Sequence, residues 1–202
     1  MTTLVLASQS PARLSTLRNA GIEPVVIVSG VDEDQLRGQE PEQLALNLST
    51  LKAHAVAERD DVPEGALVLG CDSVLKFKGE ALGKPHSPEV ATQRWRAMRG
   101  RSGRLITGHT LIDTASRKMT RETCETVVHF AEVSDAEIEA YVATGEPLEV
   151  AGAFTVDGIG GAFIWKIEGD FHNVVGLSLP ALRRMVIKLG HRWNDLWNVQ
   201  PD

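Results

Sequence analysis

The chain has 202 residues, of which 43% are hydrophobic and 24% are charged, as in an ordinary globular protein with a sizeable buried core. Its formal net charge of −6 argues against a general nucleic-acid binder, because such a protein needs a continuous basic surface. No apolar run approaches the roughly 18 residues of a membrane span, and residues 1–10 lack the features of a signal peptide. We therefore expect one cytoplasmic domain over residues 1–202, with 191–202 as a C-terminal tail and no membrane or nucleic-acid partner.

The first half of the chain alternates strand-like and helix-like segments. A buried strand at residues 3–8 precedes a helix from Pro11 to Ala20, for which Ser10 is the N-cap. The apolar run 66–77 predicts a further strand that turns around Gly79 into a short partner. The remaining predictions are a strand at 24–29 and a helix at Pro41–Arg59 with a buried stripe of Leu44, Leu48, Leu51 and Ala55.

The second half combines β-branched segments with further helices. Residues 104–115 and 120–133 are predicted to pair as antiparallel strands, and residues 151–168 to form a glycine-interrupted hairpin. Helices are predicted at Pro88–Met98, after the capping box Ser134–Glu137 and at Pro180–Leu189, with one short helical turn in the tail. The order of elements is α/β first and α+β afterwards. The two cysteines, Cys71 and Cys124, are expected to be reduced.

The segment LASQSPARL, residues 6–14, is a candidate anion site. It combines the end of a strand, the hydroxyls of Ser8 and Ser10, and Arg13 in the first helical turn. Unpaired backbone N–H groups and the helix dipole favour an anion at such a helix start. An equally good reading is that Ser10 only caps the helix and Arg13 is solvated.

Asp72, in GCDS, falls within or just past the apolar run and is the candidate for catalysis, because a carboxylate at the end of an apolar strand is costly to bury unless it binds a metal, meets a cation or acts as a base. Lys84 follows a glycine and precedes a proline that fixes the local backbone, and Lys52 lies beside the stripe of the second helix. Glu33, in VDED, offers a carboxylate to a divalent ion. For these four residues the competing interpretations are an exposed strand end, surface lysines and a charged loop.

Phosphate-binding and metal motifs of the common kinds are missing from the sequence: it has no GxxxxGK[ST], GxGxxG, GxSxG or paired zinc spacing. GCDSV prompts a comparison with haloacid dehalogenase phosphatases. That chemistry needs a second aspartate two positions on, where Val74 stands, so this reading is set aside.

Taken in order, several segments resemble the Maf family over about residues 4–190. They are LASQSPARL, VDE at 31–33, Lys52, GCDS at 70–73, LGKP at 82–85, GRSGR at 100–104, TGH at 107–109, YVATGEPLEVAGAF at 141–154 and GDFHNVVGLSLPAL at 169–182. No single segment is specific, but the ordered set is. The resemblance implies an α/β fold with a mixed central sheet flanked by helices, two lobes around a cleft, similar to the inosine triphosphate pyrophosphatase fold.

The resemblance also implies an activity and a site. Members hydrolyse canonical or modified nucleoside triphosphates to monophosphate and pyrophosphate with a divalent cation, expected here to be Mg²⁺, in house-cleaning of nucleotide pools. Some are linked to arrest of septum formation, so a non-catalytic nucleotide-binding regulator of cell division is the alternative, and a homodimer is compatible with the resemblance. Carried over by position, the resemblance implies that Asp72 accepts the proton of the attacking water and that Glu33 and Asp72 bind the metal. It implies that the triphosphate is held by Ser8, Ser10, Arg13, Lys52 and Lys84.

Three positions depart from the pattern of the family. Ala12 replaces a second arginine of many relatives, a contact that Arg101 or Arg104 would have to supply, and Ser178 replaces a proline. Asp157 stands where the thymidine and uridine triphosphate subgroup has glutamine. Because an ionised aspartate only accepts hydrogen bonds, Asp157 as a base-binding residue would favour cytosine and guanine; a simple turn aspartate beside a glycine is the equal alternative.

Overall fold

The computed structural model describes residues 2–32, 36 and 38–198, and most elements lie where the sequence predicts. The strands are β1 (Leu4–Leu6), β2 (Val25–Val26), β3 (Leu67–Phe77), β4 (Glu80–Leu82), β5 (Ser102–Asp113), β6 (Met119–Phe130) and β7 (Ile164–Glu168). The helices are α1 (Pro11–Asn19), α2 (Pro41–Ala57), α3 (Pro88–Met98), α4 (Asp135–Ala143), α5 (Phe171–Val175) and α6 (Leu179–Lys188). In this described part, no helix has the length and apolar character that crossing a membrane requires.

The described strands form one seven-stranded sheet in the order β2–β1–β3–β5–β6–β7, with β4 paired to the C-terminal part of β3. Strand β1 is parallel to β2 and β3, whereas β3, β5, β6 and β7 are antiparallel neighbours. The predicted mixed α/β sheet is therefore confirmed. Asp72 is the sixth of eleven residues of β3, not the end of a strand, and its register partner on β5 is Gly108.

Helix α2 packs unusually close to the middle of this sheet. A Cβ atom added at Gly70 would lie 2.2 Å from the carbonyl oxygen of Ser49, and one added at Gly108 would lie 2.3 Å from that of Ala45. Real Cβ contacts essentially never fall below 3.0 Å. The two glycines therefore let the backbone of α2 rest directly on β3 and β5.

The buried face of α2 differs from the predicted stripe. Leu48 is buried as expected, but Leu51 is 38% exposed. Ser49, Lys52 and Ala53 are buried instead. Because the glycines leave no side chains between helix and sheet, small and polar residues of α2 face the sheet where leucines were predicted.

The two largest apolar clusters use opposite ends of the long strands β3 and β5. One contains Leu75 and Leu105 together with residues of α3 and α4. The other contains Leu69 and Leu111 together with residues of α1 and α6. Asp72 lies between the two clusters along β3, so the predicted two lobes meet at the middle of this strand.

The predicted hairpin at 151–168 is wrong. Only Ile164–Glu168 is a strand, and it pairs with β6, while Ala151–Ala153 and Ile159–Phe163 are short 3₁₀ turns. The backbone N–H groups of Ile159 and Gly160 donate to the carboxylate of Glu146, 2.9 Å away in each case. These donors are consequently used by a side chain and do not form a strand ladder.

Other local predictions have mixed outcomes. The strand predicted at 24–29 shrinks to Val25–Val26, and the tail forms the expected helical turn at Trp193–Leu196. Both Cys71 and Cys124 are free thiols, as expected.

Candidate active site

A cleft of about 840 Å³ opens between the two lobes. Its walls come from the start of α1, the middle of α2 and β3, the loop after β4, helix α3 and the turns around residues 149–157. This volume is within the roughly 300–1,000 Å³ usual for small-molecule sites. Seven of the predicted site residues line it: Ser8, Ser10, Arg13, Lys52, Asp72, Lys84 and Asp157. Glu33 falls outside the described residues, so its predicted metal role stays a prediction.

Lys52 and Asp72 form a buried ion pair at the floor of the cleft. The Nζ atom of Lys52 lies 2.6 Å from Oδ1 of Asp72, and their side chains are 10% and 9% exposed. Lys52 reaches this position because α2 lies so close to β3. An opposite charge at this distance favours the ionised carboxylate, the form that can accept a proton.

Arg13 is fixed by three oxygens from three parts of the chain, which contradicts the alternative that it is solvated. Its Nε donates to the carbonyl of Gly176 (2.8 Å), and its two terminal nitrogens donate to the hydroxyls of Ser8 (3.1 Å) and Ser73 (3.1 Å). The Ser73 hydroxyl in turn shares a hydrogen bond of 2.9 Å with Thr107. All of these acceptors are neutral, so the positive charge of Arg13 is held in place without being cancelled.

The turn before α1 has the geometry predicted for the start of a capped helix. The hydroxyl of Ser10 accepts from the backbone N–H of Arg13 at 3.4 Å, and that of Ser8 accepts from the backbone N–H of Ser10 at 3.1 Å. Ser10 is thus the N-cap, as expected. The same turn lines the cleft, so the positive end of the α1 dipole faces the space in which an anion would sit.

Lys84 stands at the edge of the cleft with a loosely held charge. Its Nζ atom is 3.9 Å from a carboxylate oxygen of Glu149, and its side chain is one-third exposed. Glu149 also lies 3.4 Å from the ring of His86. A contact this long and this exposed contributes little stability, so Lys84 can exchange it for another anion at small cost.

Asp157 belongs to a loop that is organised by one partly buried carboxylate, that of Glu146. Besides the two backbone amides, Glu146 accepts from the hydroxyls of Tyr141 (2.9 Å) and Thr155. Burial raises the pKa of Glu146, but these hydrogen bonds outweigh it and the net pKa is lowered. Asp157 itself is exposed on a bend that lines the cleft, an arrangement that fits both the base-binding and the turn interpretation.

The donors around the cleft are compatible with a magnesium ion. Among the residues that the structure describes, no group of three or more His, Cys, Asp or Glu side chains could hold a metal by itself. Mg²⁺ usually takes only one or two carboxylates and completes its shell with waters and substrate phosphates. Asp72 places one such carboxylate in the cleft.

Comparison with known proteins places the chain in a family. The model for Maf-like proteins matches residues 3–189. The chain belongs to the Maf family.

Relatives in that family cover almost the whole chain. Proteins of Streptomyces avermitilis and Streptomyces coelicolor are each 58% identical, over 96% and 98% of this chain and 94% and 96% of their own lengths. A protein of Thermosynechococcus vestitus is 50% identical over 98% of this chain and 99% of its own. All three are named nucleoside triphosphate pyrophosphatase. The solved structure of the Staphylococcus aureus Ham1 protein matches at 16% identity and a TM-score of 0.47, over 93% of this chain and 95% of that one. The family assignment rests only on the sequence comparisons.

One departure from the Maf pattern is not compensated in the way predicted. Ala12 lines the cleft without a charge, but neither Arg101 nor Arg104 does so. Arg104 is more than half exposed and pairs with Glu125 at 2.7 Å on the neighbouring strand β6. Because neither arginine lines the cleft, neither replaces the missing cation.

Arg94 is a further cation that lines the cleft, and no motif in the sequence indicated it. The spacing along α3 could have indicated Arg94, because it lies on the same helical face as Ala91, Trp95 and Met98. Those three residues are fully buried. A charged residue within such a face faces either a partner or a cavity.

Proposed function

We propose that this Maf protein hydrolyses nucleoside triphosphates to nucleoside monophosphate and pyrophosphate. The proposal is supported by relatives that are named nucleoside triphosphate pyrophosphatase and are at least half identical over nearly the full chain. The observation that carries it is the meeting of Asp72 and the basic residues Arg13, Lys52 and Lys84 around one cleft large enough for a nucleotide. These residues come from four separate parts of the chain.

Asp72 is proposed to take the proton of the attacking water. The water oxygen attacks the α-phosphorus, the bond from that phosphorus to the bridging oxygen breaks, and pyrophosphate leaves. A base needs to lie within hydrogen-bond reach of the water and to be ionised beforehand. Lys52, at 2.6 Å, favours the ionised form of the Asp72 carboxylate and fixes its direction.

The cations are proposed to stabilise the negative charge of the phosphates. Arg13, with the hydroxyls of Ser8 and Ser10 and the start of α1, holds one end of the polyphosphate chain, and Lys84 holds it from the opposite lobe. Mg²⁺, when bound, supplies further charge neutralisation on the phosphate oxygens. Asp72 and, from outside the described residues, Glu33 are the residues we propose to hold it.

Pyrophosphate release by the purified protein, with MgCl₂ and a panel of nucleoside triphosphates, tests this function. Asp72→Asn should lower turnover more than about a hundredfold, the order expected for losing a general base, while nucleotide binding persists. Asp61→Asn is the matched control, because Asp61 is an exposed carboxylate outside the cleft that pairs with Arg59. Turnover unaffected by Asp72→Asn would remove Asp72 from the mechanism.

The same panel decides between the remaining alternatives. Wild-type protein that binds triphosphates but releases no pyrophosphate would favour the regulator of cell division over the enzyme. A clear preference for thymidine triphosphate would contradict the role of Asp157 in selecting cytosine or guanine and would leave it as a turn residue.

A further inference from the structure

Arg94 lines the cleft, but none of the roles proposed above involves it. It projects from α3 beside the fully buried Trp95, is itself partly buried, and lines the cleft. It lies in the same wall as Lys84, in the lobe opposite Arg13. Its position therefore allows contact with whatever occupies the cleft.

A neutral oxygen holds the guanidinium of Arg94. One terminal nitrogen donates to the carbonyl of Gly83 at 2.6 Å. Across the described part of the chain, no carboxylate forms an ion pair with it, and burial alone lowers its pKa. Arg96, two residues further along the same helix, instead pairs with Asp135 and Glu139 on the protein surface.

An uncompensated, partly buried charge is unusual in a protein that carries a net charge of −6, where carboxylates are plentiful. Keeping a guanidinium away from water without a counter-ion costs free energy. The cost is offset when an anionic ligand supplies the missing charge. A guanidinium also has five N–H donors in a planar fork, and the bond to Gly83 uses only one of them.

We propose that Arg94 binds the polyphosphate chain of the substrate directly, next to Lys84. The identity of that substrate as a triphosphate rests on the proposed function. The charge that Ala12 does not supply on the α1 side is thus provided from α3, in the opposite wall of the cleft. The hydrogen bond from Arg94 to the carbonyl of Gly83, the residue before Lys84, fixes the position of Arg94 relative to Lys84.

Inorganic tripolyphosphate is the probe that isolates this contact, because it has the phosphates of the substrate but no base or sugar. Its binding to the full chain is measured by calorimetry in excess MgCl₂. Arg94→Met should weaken binding at least about tenfold, as expected for a charge-assisted hydrogen bond, and Arg94→Lys should fall between the two. Arg96→Met, the control from the same helix, should stay within about twofold of wild type.

A double variant separates direct binding from an indirect effect through Lys84. If Arg94 only anchors the backbone of Gly83, Arg94→Met should add nothing to the loss caused by Lys84→Met. If it binds phosphate, the double variant should bind more weakly than Lys84→Met alone, although the size of the added loss need not equal that of the single change because the two side chains are neighbours. Circular dichroism confirms that each variant is folded, and Arg94→Lys serves for the comparison if Arg94→Met is not.

The outcomes distinguish this inference from the proposed function. Unchanged tripolyphosphate binding in Arg94→Met, no binding by the wild type, or no added loss in the double variant would each overturn the role of Arg94. Absence of pyrophosphate release from every nucleotide, with the binding differences intact, would instead overturn the hydrolytic function and leave Arg94 as a phosphate ligand.

Discussion

Replacing Gly70 with alanine tests whether the close contact of α2 with the sheet positions the Lys52–Asp72 pair, for which we propose a catalytic role. The added Cβ would lie 2.2 Å from the Ser49 carbonyl oxygen and 2.8 Å from the Ala53 nitrogen, whereas ordinary contact begins at 3.4 Å. The helix would have to move away by about 1 Å, because backbone atoms cannot rotate aside as a flexible side chain can. Lys52 lies between those two obstacles on α2, so it would move with them.

The expected loss of stability is about 3 kcal/mol, the upper end of the usual cost of overpacking a core. For a chain of this length, each kcal/mol lowers the melting temperature by roughly 2–4 °C, so the midpoint should fall by about 6–12 °C. A displacement of about 1 Å at a catalytic pair can slow turnover on the order of a hundredfold. Gly70→Ala should consequently lose activity even at temperatures at which it is fully folded.

Urea unfolding followed by circular dichroism measures the stability, and pyrophosphate release at 25 °C measures the activity. Gly83→Ala is the stability control, since its Cβ would meet nothing within 4 Å and the change should stay within about 0.5 kcal/mol. The same urea midpoint for Gly70→Ala and wild type would refute the close contact. A destabilised but fully active variant would refute its link to the Lys52–Asp72 pair.

Two further predictions concern side chains away from the Lys52–Asp72 pair, Glu146 and His109. Glu146→Gln replaces an accepting oxygen with an amide group that faces the backbone donors of Ile159 and Gly160, so the loop that carries Asp157 should shift. In steady-state kinetics the KM for nucleoside triphosphates should rise about tenfold or more, by an amount that differs between bases. A fall in kcat alone would contradict this. Burial, and then the charge of Arg13, lower the pKa of His109 to about 4 from 6.5. In the unfolded chain the imidazole of His109 binds a proton below about pH 6.5, whereas in the folded chain it does so only below about pH 4. The free energy of unfolding should therefore fall by about 3 kcal/mol as the pH is lowered from about 6.5 to about 4. His109→Gln should flatten this loss in urea titrations, and an unchanged slope would assign the loss to other groups.

Local signals in the sequence were sufficient for most of the fold. Proline at the first helical position placed the starts of α1 and α3, and the β-branched runs placed β5 and β6 as antiparallel partners. The start predicted for α6, Pro180, lies one residue after the observed Leu179. The failures share a cause. The hairpin at 151–168 and the stripe of α2 were overridden by distant groups, the carboxylate of Glu146 and the glycines of the sheet, which no local pattern reveals.

The site shows the same division between local and distant information. Ser10 and Arg13 follow from the capped turn in which they lie, and Asp72 follows from the cost of a carboxylate in an apolar strand. Their convergence with Lys52 and Lys84 in one cleft rested on the family resemblance, because residues so far apart in sequence carry no local sign of contact. Arg94 was missed although it lies on a buried helical face, since the resemblance gave no reason to look for it there.

The way in which each cation is held explains how an acidic protein keeps a cleft suited to a polyanion. Lys52 and Asp72 form an ion pair at 2.6 Å, which fixes both side chains in the cleft. Arg13 and Arg94 are held by hydroxyl and carbonyl oxygens, which fix their positions and leave their full charge for a ligand. Lys84 has an intermediate position, with Glu149 at 3.9 Å as an exposed and easily exchanged counter-ion. Because neutral acceptors position the two arginines before the substrate arrives, binding does not require buried ion pairs to be broken, and the interaction with phosphate is retained as affinity.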